Sequence, residues 1–125
     1  MSQKSDFVNI LEDRVISFAA EVSTLLKNLP VNHTAFHLSD QIQRSCLSVP
    51  LNFAEARGSE SRKDFIHKLG ICLKELRETQ VGLKLIKTCN LKQDENVESL
   101  VQESDELISI FVKSITTAKR NLNRK

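Results

Sequence analysis

Gln41-Ile-Gln-Arg-Ser-Cys-Leu-Ser-Val-Pro-Leu-Asn-Phe-Ala-Glu-Ala-Arg-Gly58 reads as a helix with a proline in its middle and a glycine at its end. Pro50 has no N–H for the carbonyl of Cys46, and its ring crowds that carbonyl. A bend is expected there, at a cost of about 3 kcal/mol unless the surroundings accept it. Leu38, Ile42, Cys46, Val49, Phe53 and Ala56 fall on one face of this helix, and Leu47, Leu51 and Ala54 form a second apolar strip beside it. One apolar face serves a helix's own bundle, so a second predicts burial against another subunit. Gly58 offers the left-handed residue that ends such a helix cheaply.

The flanking sequence is simpler helix. Before this stretch, Val8, Leu11, Val15, Phe18, Val22, Leu25 and Leu29 recur at alternating steps of three and four, which predicts a first helix over about 6 to 29. Pro30 lies just beyond it, and Thr34 is the expected cap of a second helix over about 35 to 58. Ser61 with Asp64 three residues on is a variant capping box that opens a third helix, over about 61 to 89. Its buried face is Phe65, Leu69, Cys72, Leu76, Leu83 and Ile86, and Asn90 tolerates the left-handed position after it. A fourth helix, over about 94 to 122, carries Val97, Val101, Ile108, Phe111, Ile115, Ala118 and Leu122, with Ser104 filling the one gap in the stripe. Four helices with short connections predict an all-α, antiparallel up-and-down four-helix bundle, one domain over residues 1–125.

Composition agrees with helices. Two prolines and three glycines leave little material for turns, and the apolar content is Leu, Ile, Val and six Phe without Trp or Tyr. Cys46, Cys72 and Cys89 lack CxxC spacing and leave an odd one over, so a reduced, cytoplasmic setting and a role as small core fillers are expected. No apolar run approaches the roughly 20 residues of a membrane span, and no membrane contact or export signal is expected.

The net charge of +2 is too small to imply a polyanionic partner by itself, but the charges fall in blocks. Residues 61–92 hold eight Lys or Arg against three acids, residues 93–112 hold six acids and no Lys or Arg, and the tail from Lys113 returns to five basic residues. On the third helix, Lys63, His67, Lys74, Arg77 and Lys84 fall within one arc of about 100°, opposite the core face. This stripe, with Lys119 and Arg120, is the candidate contact for the phosphates of RNA or DNA. The competing reading is an ordinary solvated face. Another class of function is a helical adaptor, in which the acidic block containing Glu103, Asp105 and Glu106 docks a basic protein partner.

Chemistry is thinly supported. His33 and His37 share a metal-ligand spacing without a third ligand nearby. Glu75-Leu-Arg-Glu78 and Asn52-Phe-Ala-Glu55 lack the histidine of the Glu-x-x-His pairs that di-iron bundles use. Asn52, Glu55, Glu75 and Glu78 could approach one another if the second and third helices are neighbours, for acid–base work or, more plainly, as ties to Arg44, Arg57 or Arg77. No glycine loop would cradle a phosphate. No catalytic site, cofactor, metal or small-molecule substrate is expected.

Asp40-Gln-Ile-Gln-Arg44, Ser48-Val-Pro-Leu-Asn-Phe-Ala-Glu55 and Gly58 resemble the pattern of the four-helix-bundle proteins related to those encoded by intervening sequences in 23S ribosomal RNA genes. Ser61-Arg-Lys-Asp-Phe-Ile66, Leu73-Lys-Glu-Leu-Arg-Glu-Thr79, Glu106-Leu-Ile108 and Thr117-Ala-Lys119 extend the resemblance over nearly the whole chain. It implies a bundle that assembles into a ring-like homopentamer, and Gln41, Arg44, Pro50, Asn52, Glu55, Gly58, Glu75 and Glu78 as structural motif positions. The family is similar to the accessory variability determinant of diversity-generating retroelements, a basic pentamer that binds nucleic acid and a reverse transcriptase. Three departures stand out: Ala56-Arg57 after Glu55, where a longer helix end is expected; Gln43 in place of one of a frequent Arg pair; and Val81-Gly82 where aromatics are common, which leaves room at a packing position.

Overall fold

The computed structural model describes residues 3–92 and 95–123, with side chains from Ser5 onward. Four helices follow in order: α1 (Gln3–Leu26), α2 (His33–Arg57), α3 (Arg62–Thr88) and α4 (Glu95–Asn123). Each packs on the next and α4 closes back on α1, the slightest of the four contacts, while the diagonal helices keep their backbones apart and meet through core side chains. The side-chain ties run antiparallel. Gln43 meets Ser23 while Arg57 meets Glu12, Ser45 meets Thr79 while Glu55 meets Lys68, and Gln80 meets Ser104 while Lys87 meets Glu98. The architecture is the four-helix bundle that the periodicity predicts.

Every apolar seam position expected on α1, from Leu11 through Leu25, lies in the core with Ile42, Val49, Leu76, Leu83 and Phe111. Phe53 meets Phe111 edge to face, with ring centroids 5.7 Å apart at 80°, a geometry in which one ring's positive edge faces the other's negative face. Ser104 sits fully buried in the gap of the α4 stripe. Its hydroxyl donates to the Val101 carbonyl at 2.6 Å and accepts from the Gln80 amide at 2.9 Å, so the buried polar group is satisfied.

The helix ends differ from expectation in three places. Asn32, rather than Thr34, caps α2: its Oδ1 accepts the Ala35 N–H at 2.8 Å, which starts the helix at His33. Asparagine outranks threonine as a cap, so the earlier site wins. Gly58 is not left-handed. Its φ is −95° and its N–H is shared between the Ala54 and Glu55 carbonyls at 3.3 and 3.2 Å, so α2 ends in a tightened turn that needs no glycine freedom. α1 stops at Leu26 because Lys27, Asn28 and Leu29 bond three residues back instead of four, ahead of Pro30.

Two other ends match. Ser61 accepts the Asp64 N–H at 3.0 Å to cap α3. Asn90, at φ 57°, ends that helix with Asn90 N–H to Lys87 O and Leu91 N–H to Ile86 O, the paired bonds of a left-handed C-terminal motif. α2 is helical through Pro50. Asp94, the expected start of the fourth helix, lies outside the described residues, as do Arg124 and Lys125.

At Gly82, α3 comes close to α2. It is buried, and a Cβ built on it would stand 2.8 Å from Ile42 Cδ1 and closer still to Cγ1. The room expected at Val81-Gly82 is therefore filled by Ile42. Val81 instead points outward, 55% exposed.

Candidate nucleic-acid interface

The basic stripe of α3 survives folding as an exposed row. Lys63, His67, Lys74, Arg77 and Lys84 are all exposed, and among the described residues none makes an ion pair. From Lys63 to Lys84 the helix rises about 30 Å. The cations at the helix seams are treated differently. Arg14 reaches Glu103 with two nitrogens, at 2.7 and 3.1 Å, and Glu106 at 3.3 Å. The hydrogen bonds that Arg14 donates to Glu103 hold its proton more firmly than usual. Arg57 bonds Glu12 at 2.8 Å and Asn9 at 3.0 Å, Lys68 bonds Glu55 at 2.7 Å, and Lys87 pairs with Glu98. Arg14, Arg44, Arg57, Lys68 and Lys87 each meet a carboxylate on a neighbouring helix, whereas the row along the outer face of α3 meets none among the described residues. Lys119 and Arg120 are also exposed and unpaired among the described residues. The antiparallel register puts them at the end of α4 beside the start of α3, near Lys63.

The acidic block of α4 is used inside the bundle. Glu103 and Glu106 hold Arg14, Asp105 accepts from Gln80 at 2.6 Å, and Glu98 holds Lys87. These carboxylates fasten α4 to α1 and α3, so neutralising them loosens the fold as well as any docking face.

The four polar residues of the motif do not converge on one site. Asn52 turns back along its own helix to the Ser48 carbonyl and hydroxyl, at 2.9 and 2.8 Å. Glu55 goes to Lys68. Glu75 and Glu78 are drawn to one guanidinium, Arg44, at 3.3 and 2.5 Å. Glu75 is 6% exposed, so Arg44 covers a buried carboxylate from the surface. One step deeper, the Ser45 and Thr79 hydroxyls meet at 2.8 Å, both fully buried; one donates to the other, and the second donates to a carbonyl of its own helix, Ile42 O for Ser45 or Glu75 O for Thr79. These are helix ties, and Gln41 and Arg77, both exposed, take no part in them. His33 and His37 are exposed in the first turn and a half of α2.

Cys46 and Cys72 are core fillers as expected, but Cys89 is exposed because it caps the C-terminus of α3. Burial pushes the Cys46 thiol up, and pushes Cys72 up to about 12. Sequence reasoning missed the Arg14 clamp, the Gln43–Ser23 bond and the Gln80 bridge to α4. Each joins residues at least twenty positions apart, with no local pattern that marks them.

The fold and the residues that tie it define a four-helix-bundle protein in which Arg44, Glu55, Glu75 and Glu78 of the motif hold α2 to α3. Residues 10–113 match the model of the family described as 23S rRNA-intervening sequence protein, and the chain belongs to that family. Among solved structures, a protein of unknown function from the S23 ribosomal protein family of Bacteroides thetaiotaomicron VPI-5482 is 35% identical. The match covers 87% of this chain and 97% of that one, at a TM-score of 0.80. Comparison with curated proteins gives no match. Neither the family description nor that of the crystallised relative designates an enzyme. Among the described residues no helix is long and apolar enough to cross a membrane.

Proposed function

We propose that the protein is a non-enzymatic, cytoplasmic, homopentameric bundle whose outer surface binds RNA or DNA through the α3 stripe. The observation that carries the reading is the division among the cations. Arg14, Arg44, Arg57, Lys68 and Lys87 are each neutralised by a carboxylate of a neighbouring helix, whereas Lys63, Lys74, Arg77 and Lys84 make no ion pair among the described residues and form a row of about 30 Å. One such row binds a polyanion weakly; five copies on a ring multiply the effect through effective concentration. The second apolar strip of α2 supports assembly, since Leu47 is 41% and Leu51 65% exposed, beside exposed Ala54 and, further up the helix, Phe36 at 78%. A bend at Pro50 would let α2 face both its own bundle and a neighbour.

Three measurements test this. Light scattering should give five times the 14.2 kDa of one chain; a monomer at micromolar concentration ends the assembly reading. Pro50→Ala should keep its helicity and disturb assembly, and a variant that assembles and melts as the parent does makes the proline incidental. Affinity for a generic RNA or DNA should fall steeply with salt, and Lys74→Glu with Arg77→Glu should weaken it for all sequences alike. Unchanged affinity in that pair refutes the surface.

A further inference from the structure

At the end of the bundle where α1 begins and α4 finishes, residues of all four helices line a cavity of about 510 Å³. We propose that this cavity binds a small amphipathic carboxylate, an acyl chain with an anionic end. Its walls are Phe7, Phe53, Phe65, Leu69 and Ile110, and its size lies within the range of small-molecule sites, which are mostly apolar with a few placed polar groups.

Besides the neutral Ser114, Thr117 and Asn121, the charged groups that line it carry one sign. Arg57, Arg62 and Lys113 line the cavity. Arg57 is already neutralised by Glu12 and steadied by Asn9, which leaves it as part of the wall. Arg62 and Lys113 are exposed and make no ion pair among the described residues. An apolar hollow with two uncompensated cations at its lip favours an apolar body with a single anionic end. A cation is repelled, and a fully polar anion gains nothing from the walls. Phe7, 49% exposed at the cavity, is an aromatic surface that such a chain would cover. The cavity shares no residue with the α3 stripe, Lys119 or Arg120, so the two proposals fail independently.

Calorimetric titration of the intact protein with decanoate, below its micelle concentration, and with decanol as the uncharged control tests the assignment. Decanoate should bind saturably, one per chain, more tightly than decanol and less so as salt rises. Arg62→Gln with Lys113→Gln changes two exposed side chains and should weaken decanoate about tenfold while leaving decanol unchanged. Ser114→Phe places a ring in the cavity and should remove both ligands, with helicity checked by circular dichroism. The proposal is overturned by absence of saturable decanoate binding, by equal decanoate affinity in the Arg62 and Lys113 double variant, or by full binding to a folded Ser114→Phe protein.

Discussion

Replacing Gly82 with alanine sets two terms of known size against each other, and Gly70 on the same helix supplies the reference. Both glycines lie inside α3, where alanine is favoured over glycine by about 1 kcal/mol. At Gly70 a new methyl meets nothing within 4 Å, so Gly70→Ala should stabilise by about 0.5–1 kcal/mol. At Gly82 the same methyl would overlap Ile42 Cγ1 and lie 2.8 Å from Cδ1. Ile42 is 2% exposed and held in the core, so it cannot swing aside. Overpacking of this kind costs about 1–3 kcal/mol, which should cancel the propensity gain and leave Gly82→Ala neutral to about 2 kcal/mol destabilised. Urea denaturation at one fixed protein concentration measures both variants, and the difference between them isolates the packing term. The Ile42→Ala background should reverse the sign: that change alone costs about 2–5 kcal/mol, but Gly82→Ala made on top of it should now stabilise. If Gly82→Ala stabilises the parent as much as Gly70→Ala does, α2 and α3 do not approach as described.

The other predictions concern the polar tie and the thiols. Arg44→Ala should cost about 1–3 kcal/mol, because it strips the cover from a Glu75 carboxylate that is 6% exposed; Glu75→Gln in that background should recover part of the loss, and a single variant within about 0.5 kcal/mol of the parent would show the tie to be idle. A thiol reagent at pH 8 should label Cys89 quickly in the folded protein, with Cys46 and Cys72 reacting only on unfolding; fast labelling of all three contradicts the burial. Cys72 sits near 12 in the folded chain against an ordinary 9.0, so the stability its neutral thiol contributes is whole below pH 9 and lost as the pH climbs toward 12. Cys72→Ala should flatten that alkaline decline, read as urea midpoints from pH 8 to 11.

Much of the fold was legible because heptad spacing is a local signal. Alternating steps of three and four on α1 named its core residues, and Ser61 and Asn90 marked the two ends of α3 by their own side-chain chemistry. The errors arose where a local rule met a competitor. Asn32 outbid Thr34 for the α2 cap, and a tightened last turn removed the need for a left-handed Gly58. Gly82 was read as spare room because a single sequence does not say which neighbour fills it. Of the candidate interface, the exposure of the α3 stripe was legible from its 100° arc. The fate of the acidic block was not, since pairing of Glu103 with Arg14 spans the whole bundle.

The recognisable parts of this sequence turn out to face one another. Arg44 of the first motif stretch holds Glu75 and Glu78 of the second, Ser45 meets Thr79, and Glu55 is taken by Lys68. Each contact lies on the α2–α3 seam, the same seam where Ile42 presses on Gly82. The motif is therefore a record of how two helices dock, and its carboxylates are spent on that docking. Catalytic use of Glu75 would first require release from Arg44 and access through a largely closed surface, while Glu78 is held by the same guanidinium and Glu55 is paired with Lys68. Whatever the protein recognises must be met by side chains that the motif does not consume. On α3 those are Lys63, His67, Lys74, Arg77 and Lys84, all on the arc that no other helix covers. Within the recognisable stretches themselves, the side chains that tie the helices and those left on the outer face, Lys63, Lys74 and Arg77 among them, are thus different residues, and substitutions in the two sets should separate stability from binding.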